Sequence, residues 1–175
     1  MLNIEEESYF LRACNPVIWQ ENVLHKYIDP ETSITIFEIG TCIGSSAIWM
    51  SENLCLHPES IIHTAGVARA EVSDYATELL SNYNNINYYN NYGSEVIKQL
   101  DQNYDLIYID GHHSFESVLE DARCAIQYLK PEGIIIFDDY EDAWEGVVRA
   151  VDTFVAECDL TLETLSKTQV LVKLS

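Results

Sequence analysis

Basic residues are scarce in this sequence. Its 175 residues include nine lysines and arginines against 29 aspartates and glutamates, which gives a formal net charge of −20. A surface of this charge repels nucleic acid and anionic lipid, because their phosphate groups are also negative. The composition therefore argues against a nucleic-acid or membrane partner and predicts a soluble protein.

The cysteines lack the close spacing of a zinc site or a disulfide framework. All five lie far apart without a CxxC pair: Cys14, Cys42, Cys55, Cys124 and Cys158. Scattered cysteines are typical of reduced thiols in a cytoplasmic protein. No apolar run reaches membrane-spanning length, and the opening MLNIEEESYF has no basic region of a signal peptide. We therefore expect a cytoplasmic location.

Short apolar runs alternate with segments of helical periodicity along most of the chain. The runs SITIFEIG, SIIHTAGV, NINYYNN, YDLIYID and GIIIFDD predict strands. This alternation predicts an α/β fold, with a mostly parallel sheet and helices on both faces. The closing LTLETLSKTQVLVKLS predicts a hairpin that adds an antiparallel strand at or near one edge. We expect residues 34–175 to form this domain and residues 1–33 to form a short helical lid.

One helix boundary is predicted from a proline and a glycine. Apolar residues recur at helical spacing from Phe115 to Leu129, and the segment from Lys130 to Gly133 reads KPEG. Proline and glycine commonly stop a helix. The pattern therefore predicts a helix that continues through Leu129 and ends at this segment.

Three aspartates follow the fourth and fifth predicted strands. An open α/β sheet binds its ligands beyond the carboxyl ends of its strands. Because neighbouring strands are about 4.8 Å apart, Asp110, Asp138 and Asp139 can meet within a few ångströms. Clustered carboxylate oxygens suit Mg²⁺, Ca²⁺ or Mn²⁺. The alternative is that Asp138 or Asp139 caps the next helix, which explains one aspartate but not three.

Two adjacent histidines follow the fourth strand. An imidazole titrates near neutral pH, so His112 or His113 is a candidate general base beside the three acids. The alternative is that both are exposed loop residues, because Ser114 is a suitable N-cap for the next helix. For His25, His57 and His63, which lack such neighbours in the sequence, we predict no catalytic role.

A glycine-containing turn follows the first predicted strand, in FEIGTCIGSSA. Gly40 and Gly44 frame the turn, Glu38 lies at the strand tip, and the next helix begins near Ser45 and Ser46 with free N–H groups. This arrangement suits a nucleoside-type ligand, although such glycines also occur in tight turns with no ligand. The GxGxxG fingerprint of nicotinamide-dependent oxidoreductases is absent, which argues against that class.

Three stretches, in this order, resemble class I S-adenosylmethionine-dependent methyltransferases. They are FEIGTCIGSSA, YDLIYIDGHHSFESVLEDARCAIQYLKPEGIIIFDDY and AWEGVVRAVDTF. The nearest group is the small-molecule O-methyltransferases related to the macrocin and aminocoumarin sugar enzymes. Its pattern IDGxHxYExVxxD is matched by Asp110, Gly111, His113, Glu116, Val118 and Asp121, with Phe115 in place of tyrosine.

The resemblance implies a Rossmann-like sheet of seven strands that binds S-adenosylmethionine at its edge. It implies Glu38, Gly40, Thr41, Gly44, Ser46 and Asp110 as cofactor-binding residues, and Asp110, Asp138 and Asp139 as ligands of Mg²⁺ or another divalent cation. His112 matches an aspartate that acts as base in the sugar enzymes, and His113 matches a histidine of the broader group. The implied reaction is methyl transfer to a hydroxyl group of a small acceptor molecule.

Two positions depart from the family. The acid that follows strand two and binds the ribose is replaced by Ala65 or Gly66, and the next carboxylate is Glu71. Tyr92 stands where an aspartate often faces the adenine, and stacking on the base would give it a cofactor-binding role. Each lost hydrogen bond weakens binding by about 1–3 kcal/mol.

These departures leave a second hypothesis, a catalytically inactive binding or partner protein of the same fold. The short segment before strand one also suggests that a partner subunit contributes to substrate selection, so a homo-oligomer is an open possibility.

Overall fold

The computed structural model describes residues 26–174, which form seven strands and five α-helices. In chain order these are β1 (Thr35–Ile39), α1 (Ser45–Asn53), β2 (Ile61–Ala65), α2 (Ala70–Leu80), β3 (Ile86–Tyr89), α3 (Gly93–Leu100), β4 (Tyr104–Ile109), α4 (Phe115–Ala125), β5 (Leu129–Phe137), α5 (Glu145–Cys158), β6 (Thr161–Thr164) and β7 (Val170–Lys173). Short 3₁₀ turns span Ile126–Tyr128 and Asp142–Trp144. The predicted N-terminal lid lies outside the described residues up to residue 25, and residues 26–34 contain no α-helix.

The seven strands form one sheet in the order β3-β2-β1-β4-β5-β7-β6. The first five pair in parallel, whereas β7 is antiparallel to both β5 and β6. The closing hairpin therefore adds two antiparallel strands at one edge. The predicted α/β architecture, with its mostly parallel sheet and C-terminal hairpin, is confirmed.

Alternate residues of the central strands face opposite layers of helices. Phe37, Ile107 and Phe137 belong to the core that α3, α4 and α5 cover. Their neighbours Ile36, Leu106 and Ile136 belong to the core under α1 and α2. Burial on both faces explains why these strands read as continuous apolar runs. Among the described helices, none combines the length and the apolar character needed to cross a membrane.

The predicted end of the fourth helix was wrong. α4 ends at Ala125, and Leu129 already pairs with Tyr104 as the first residue of β5. Proline disfavours the α conformation in the residue before it and favours an extended one, as Lys130 adopts in β5. Lys130 instead extends along the sheet, where its Nζ lies 2.8 Å from Asp105 Oδ2. The KPEG segment is therefore the entry of a strand and not the end of a helix.

Gly40 allows the exits of β1 and β4 to lie against each other. Its φ is +111°, and a Cβ at this position would lie 1.8 Å from the carbonyl oxygen of Asp110. The Asp110 N–H donates to the Ile39 carbonyl at 2.8 Å, which continues the pairing of the two strands. The residue after β1 must therefore be glycine if the two strand ends are to meet.

We predict that Gly40→Ala lowers the free energy of unfolding by about 3 kcal/mol or more, because it adds backbone strain and a steric overlap. Urea unfolding followed by circular dichroism measures the loss. Gly111→Ala is the matched control, since its φ is not in the left-handed region and its Cβ would meet an Ile39 methyl at 3.3 Å. We expect the control to lose less than about 1 kcal/mol. Equal losses of unfolding free energy in the two variants would show that the contact between the ends of β1 and β4 does not require glycine at position 40.

Candidate active site

A cavity of about 650 Å³ opens at the carboxyl ends of the parallel strands. Its wall comes from residues 39–42 after β1, 65–68 after β2, 92–94 at the start of α3, and 110–112 after β4. Ser117, Glu120 and Asp121 of α4 complete it. The volume lies within the range of small-ligand and cofactor pockets.

Four of the predicted cofactor-binding residues line this cavity: Gly40, Thr41, Tyr92 and Asp110. Tyr92 is 66% exposed at the rim, so its ring is free to contact a ligand. The residues that follow β2 include no carboxylate, and Glu71 is exposed in α2 and does not line the cavity. The acids of the wall are instead Asp110, Glu120 and Asp121.

The predicted cofactor residues Glu38, Gly44 and Ser46 lie behind the cavity wall. Glu38 is fully buried and accepts short hydrogen bonds from the hydroxyls of Ser46 and Thr64. These contacts tie the first turn of α1 to the ends of β1 and β2. A Cβ on Gly44 would lie 2.6 Å from the Leu80 side chain, so this glycine lets α1 approach α2. In the structure, all three shape the turn behind the cavity wall.

Asp110 lines the cavity and also belongs to a cluster of three ionisable side chains. One ligand atom each from Asp110, His113 and Asp139 lies within 4.8 Å of the other two. Burial raises the pKa of Asp110 well above its usual range, and the nearby Asp138 and Asp139 raise it further. Two carboxylates and an imidazole are a common donor set for divalent transition metals. The cluster therefore has the composition of a cation site.

The third predicted metal ligand, Asp138, is held by protein groups. Its Oδ1 accepts from the Asp139 N–H at 2.8 Å. Its Oδ2 accepts a short hydrogen bond from the Tyr108 hydroxyl and a second, at 3.0 Å, from Gln169 Nε2. The cluster thus contains His113 where the sequence predicted Asp138. A ligand role for Asp138 stays a prediction, and neither aspartate is the N-cap of the 3₁₀ turn that follows, since that residue is Glu141.

The two candidate bases occupy different surroundings. His112 is exposed and lines the cavity, and its Nδ1 accepts from the Ser114 N–H at 3.2 Å. His113 places its Nε2 2.8 Å from Asp139 Oδ2, and its ring packs on Trp144 with centroids 4.1 Å apart. A neutral His113 that donates from Nε2 keeps the lone pair of Nδ1 for a proton. His113 is therefore the histidine that a carboxylate orients.

Sequence reasoning assigned no site role to three residues of α4 that line the cavity, although one of them, Asp121, matches the family pattern. Ser117, Glu120 and Asp121 lie at positions i, i+3 and i+4 of α4, which places them on one face of the helix. Polar residues at this spacing, next to the apolar face of the predicted helix, could have indicated that they lie together. No comparable signal marks Tyr108, Trp144 or Gln169, because their contacts depend on tertiary packing.

Comparison with known proteins agrees with this architecture. A family model described as a methyltransferase domain matches residues 37–140, more than half of the chain. An uncharacterized protein of Acanthamoeba polyphaga mimivirus is 27% identical over 138 residues, or 71% of this chain and 60% of that protein. The chain thus spans about three fifths of the length of this relative.

Two solved structures share the fold. A TDP-rhamnose 3'-O-methyltransferase of calicheamicin biosynthesis has a TM-score of 0.69 at 12% identity, over 99% of this chain and 96% of that one. An O-methyltransferase from Bacillus cereus, solved with S-adenosylhomocysteine, has a TM-score of 0.64 at 16% identity, over 97% of each chain. These findings confirm the predicted Rossmann-like fold and the resemblance to methyltransferases.

We predict that Glu38 makes stability depend on pH. Burial raises the pKa of its carboxyl from 4.5 to about 7. The folded protein therefore holds this proton more tightly than the unfolded chain, and stability falls as the pH rises through this window. The total loss is roughly 3 kcal/mol. Glu38→Gln has no carboxyl to ionise and so lacks this loss. The free energy of unfolding of the variant, relative to that of wild type, should therefore increase from about pH 5 to about pH 8.

Denaturant unfolding at several pH values measures this difference. Glu78→Gln, at an exposed position of α2, is the control and should keep a constant offset from wild type. A constant offset for Glu38→Gln as well would show that the Glu38 carboxyl ionises equally in the folded and unfolded chains.

Proposed function

Because the chain belongs to the methyltransferase-domain family, we propose that it transfers the methyl group of S-adenosylmethionine to a hydroxyl group of a small molecule, with a divalent cation beside the acceptor. The observation that carries this proposal is the position of Asp110. It lines the nucleoside-sized cavity and also belongs to the cluster with His113 and Asp139. A methyl donor in the cavity and an acceptor at the cluster would therefore be neighbours, as in-line transfer requires.

The cavity suits a cationic nucleoside. Gly40 brings backbone to the cavity wall without a side chain, and three carboxylates face the interior. A sulfonium carries a positive charge, which the acids of the wall stabilise. When bound, S-adenosylmethionine supplies an electrophilic methyl group that leaves its sulfur as an acceptor oxygen attacks the carbon.

The cluster suits a divalent cation. Asp110, His113 and Asp139 would hold it, and a cation there orients a substrate hydroxyl and lowers its pKa. Because one donor is an imidazole, this set favours Mn²⁺ or another transition metal over Mg²⁺, which prefers oxygen ligands. A ligand set with Asp138 in place of His113 would favour Mg²⁺ instead.

Without a cation, the pair of His113 and Asp139 has the geometry of a general base. Asp139 accepts from Nε2 and orients the ring, while Nδ1 takes the proton of the acceptor hydroxyl. His112 already uses Nδ1 as an acceptor, so its neutral ring presents an N–H at Nε2. Of the two histidines, we therefore assign the base role in this cation-free arrangement to His113.

The proposal predicts that S-adenosylhomocysteine raises the melting temperature, because it binds the folded state alone. A concentration 100-fold above Kd adds about 2.7 kcal/mol, or roughly 5–10 °C for a domain of this size. We expect Mn²⁺ to add a further increase, larger than that from Mg²⁺ at equal concentration. Thermal melting of the full chain with each ligand, alone and together, measures these shifts.

Asp139→Asn is expected to lose the Mn²⁺ increment and to keep the shift from S-adenosylhomocysteine. Asp142→Asn is the matched control, because Asp142 is exposed and lies outside the cluster. An undiminished Mn²⁺ increment in Asp139→Asn would contradict the cation site. No shift of the wild type with S-adenosylhomocysteine would favour an inactive binding protein of the same fold.

A further inference from the structure

Tyr108 places a buried hydroxyl between two of the aspartates that follow the strands. It is 3% exposed and lies two residues before Asp110 on β4, where it pairs with Ile136 of β5. Its side chain belongs to the core under α1 and α2. Its hydroxyl donates a short hydrogen bond to Asp138 Oδ2 and lies 3.4 Å from Asp110 Oδ2. One hydroxyl group therefore stands between the two carboxylates, where a cation bound by both would have to lie.

Gln169 holds the same oxygen of Asp138 from the other side. It comes directly before β7, is 3% exposed, and donates from Nε2 to Asp138 Oδ2 at 3.0 Å. Its own Oε1 is buried and has no hydrogen-bond partner within residues 26–174. A buried acceptor without a donor is costly. The amide is therefore oriented by its contact with Asp138 and not by a partner of its oxygen.

These two donors leave Asp138 Oδ2 without a free lone pair. An ionised carboxylate has about four acceptor positions, two on each oxygen. Tyr108 and Gln169 take both positions on the oxygen that faces Asp110, and the Asp139 N–H takes one on the other oxygen. A carboxylate oxygen must direct a lone pair at a metal ion in order to bind it. Asp138 is therefore held in place as a hydrogen-bond acceptor beside the cluster of Asp110, His113 and Asp139.

We propose that Tyr108 determines which cation the cluster binds, by holding Asp138 out of the ligand set. This inference rests on the proposed function and explains the choice between its two possible ligand sets. With Asp138 held, the ion meets two carboxylates and the imidazole of His113, which suits Mn²⁺ or another transition metal. With Asp138 released, three carboxylates face the ion, and a set of oxygen ligands suits Mg²⁺. Tyr108 does not line the cavity and so acts as a positioning residue, through Asp138.

Tyr108→Phe tests the proposal, because it keeps the ring and removes only the hydroxyl. Isothermal titration calorimetry of the full chain measures the affinities for Mn²⁺ and Mg²⁺. We expect wild type to bind Mn²⁺ more tightly, and the ratio of the Mn²⁺ affinity to the Mg²⁺ affinity to fall at least about tenfold in Tyr108→Phe, because a carboxylate joins the ligands. Gln169→Met removes the second donor and should lower the ratio about threefold. It carries the test if Tyr108→Phe does not fold, which circular dichroism checks.

Tyr140→Phe is the matched control. The Tyr140 hydroxyl donates to Asp152 at 2.8 Å, and neither residue belongs to the cluster. The control should keep the wild-type ratio. A purely structural role of Tyr108 would weaken the binding of both ions together and leave the ratio unchanged, which would overturn the proposal. Tighter binding of Mg²⁺ than of Mn²⁺ by wild type would also overturn it.

Failure of wild type to bind either ion would remove the cation from the proposed function as well as this inference. That result differs from an unchanged ratio, in which wild type binds Mn²⁺ and only the role of Tyr108 fails. The shift of the melting temperature with S-adenosylhomocysteine is measured without a cation, so it tests the methyl-donor site separately.

Discussion

The crowding of carboxylates at the edge of a parallel sheet is the constraint on which this structure depends. Asp110 and Asp138 directly follow the neighbouring strands β4 and β5, Glu38 is the second-last residue of the adjacent strand β1, and Asp139 follows Asp138 in the chain. Within residues 26–174, no lysine or arginine forms an ion pair with any of these four. Neighbouring carboxylates raise one another's pKa unless a positive charge or a hydrogen-bond donor lies beside them. The fold gives Glu38 and Asp138 two or more hydrogen bonds each, whereas Asp110 alone of the four lines the cavity.

The hydrogen bonds distinguish the acids that stabilise the fold from those that can contact a ligand. The hydroxyls of Ser46 and Thr64 satisfy Glu38, and Tyr108, Gln169 and the Asp139 N–H satisfy Asp138. Asp110 lines the cavity and, within the described chain, accepts only a long hydrogen bond, at 3.4 Å, from the Tyr108 hydroxyl. Asp139 lies 2.8 Å from His113 Nε2 in the cluster. A site that lacks positive charge stabilises ligands that bring it. A sulfonium and a divalent cation are two such ligands.

The sequence predicted the sheet and its functional edge well, because both follow from short-range patterns. Apolar runs located all five parallel strands, and the topology rule placed Asp110 and Asp139 at one edge. That His113 lies with Asp110 and Asp139 in the cluster could not be predicted, since the contact depends on how the chain turns after β5, where Asp139 has a positive φ. The hydrogen bonds of Glu38 could not be predicted for a similar reason, and its cofactor-binding role stays a prediction. Its contacts to Ser46 and Thr64 come from α1 and β2, which only tertiary packing brings together.

We propose above all that the methyl donor and the divalent cation bind next to each other, because Asp110 borders both the cavity and the cluster. Nuclear magnetic resonance of S-adenosylmethionine bound with Mn²⁺ tests it most directly, since a paramagnetic ion broadens the lines of nearby protons. The account predicts strong broadening of the S-methyl line, greater than that of the adenine protons, and its loss in Asp139→Asn. A methyl line that Mn²⁺ leaves sharp while both ligands are bound would contradict the account.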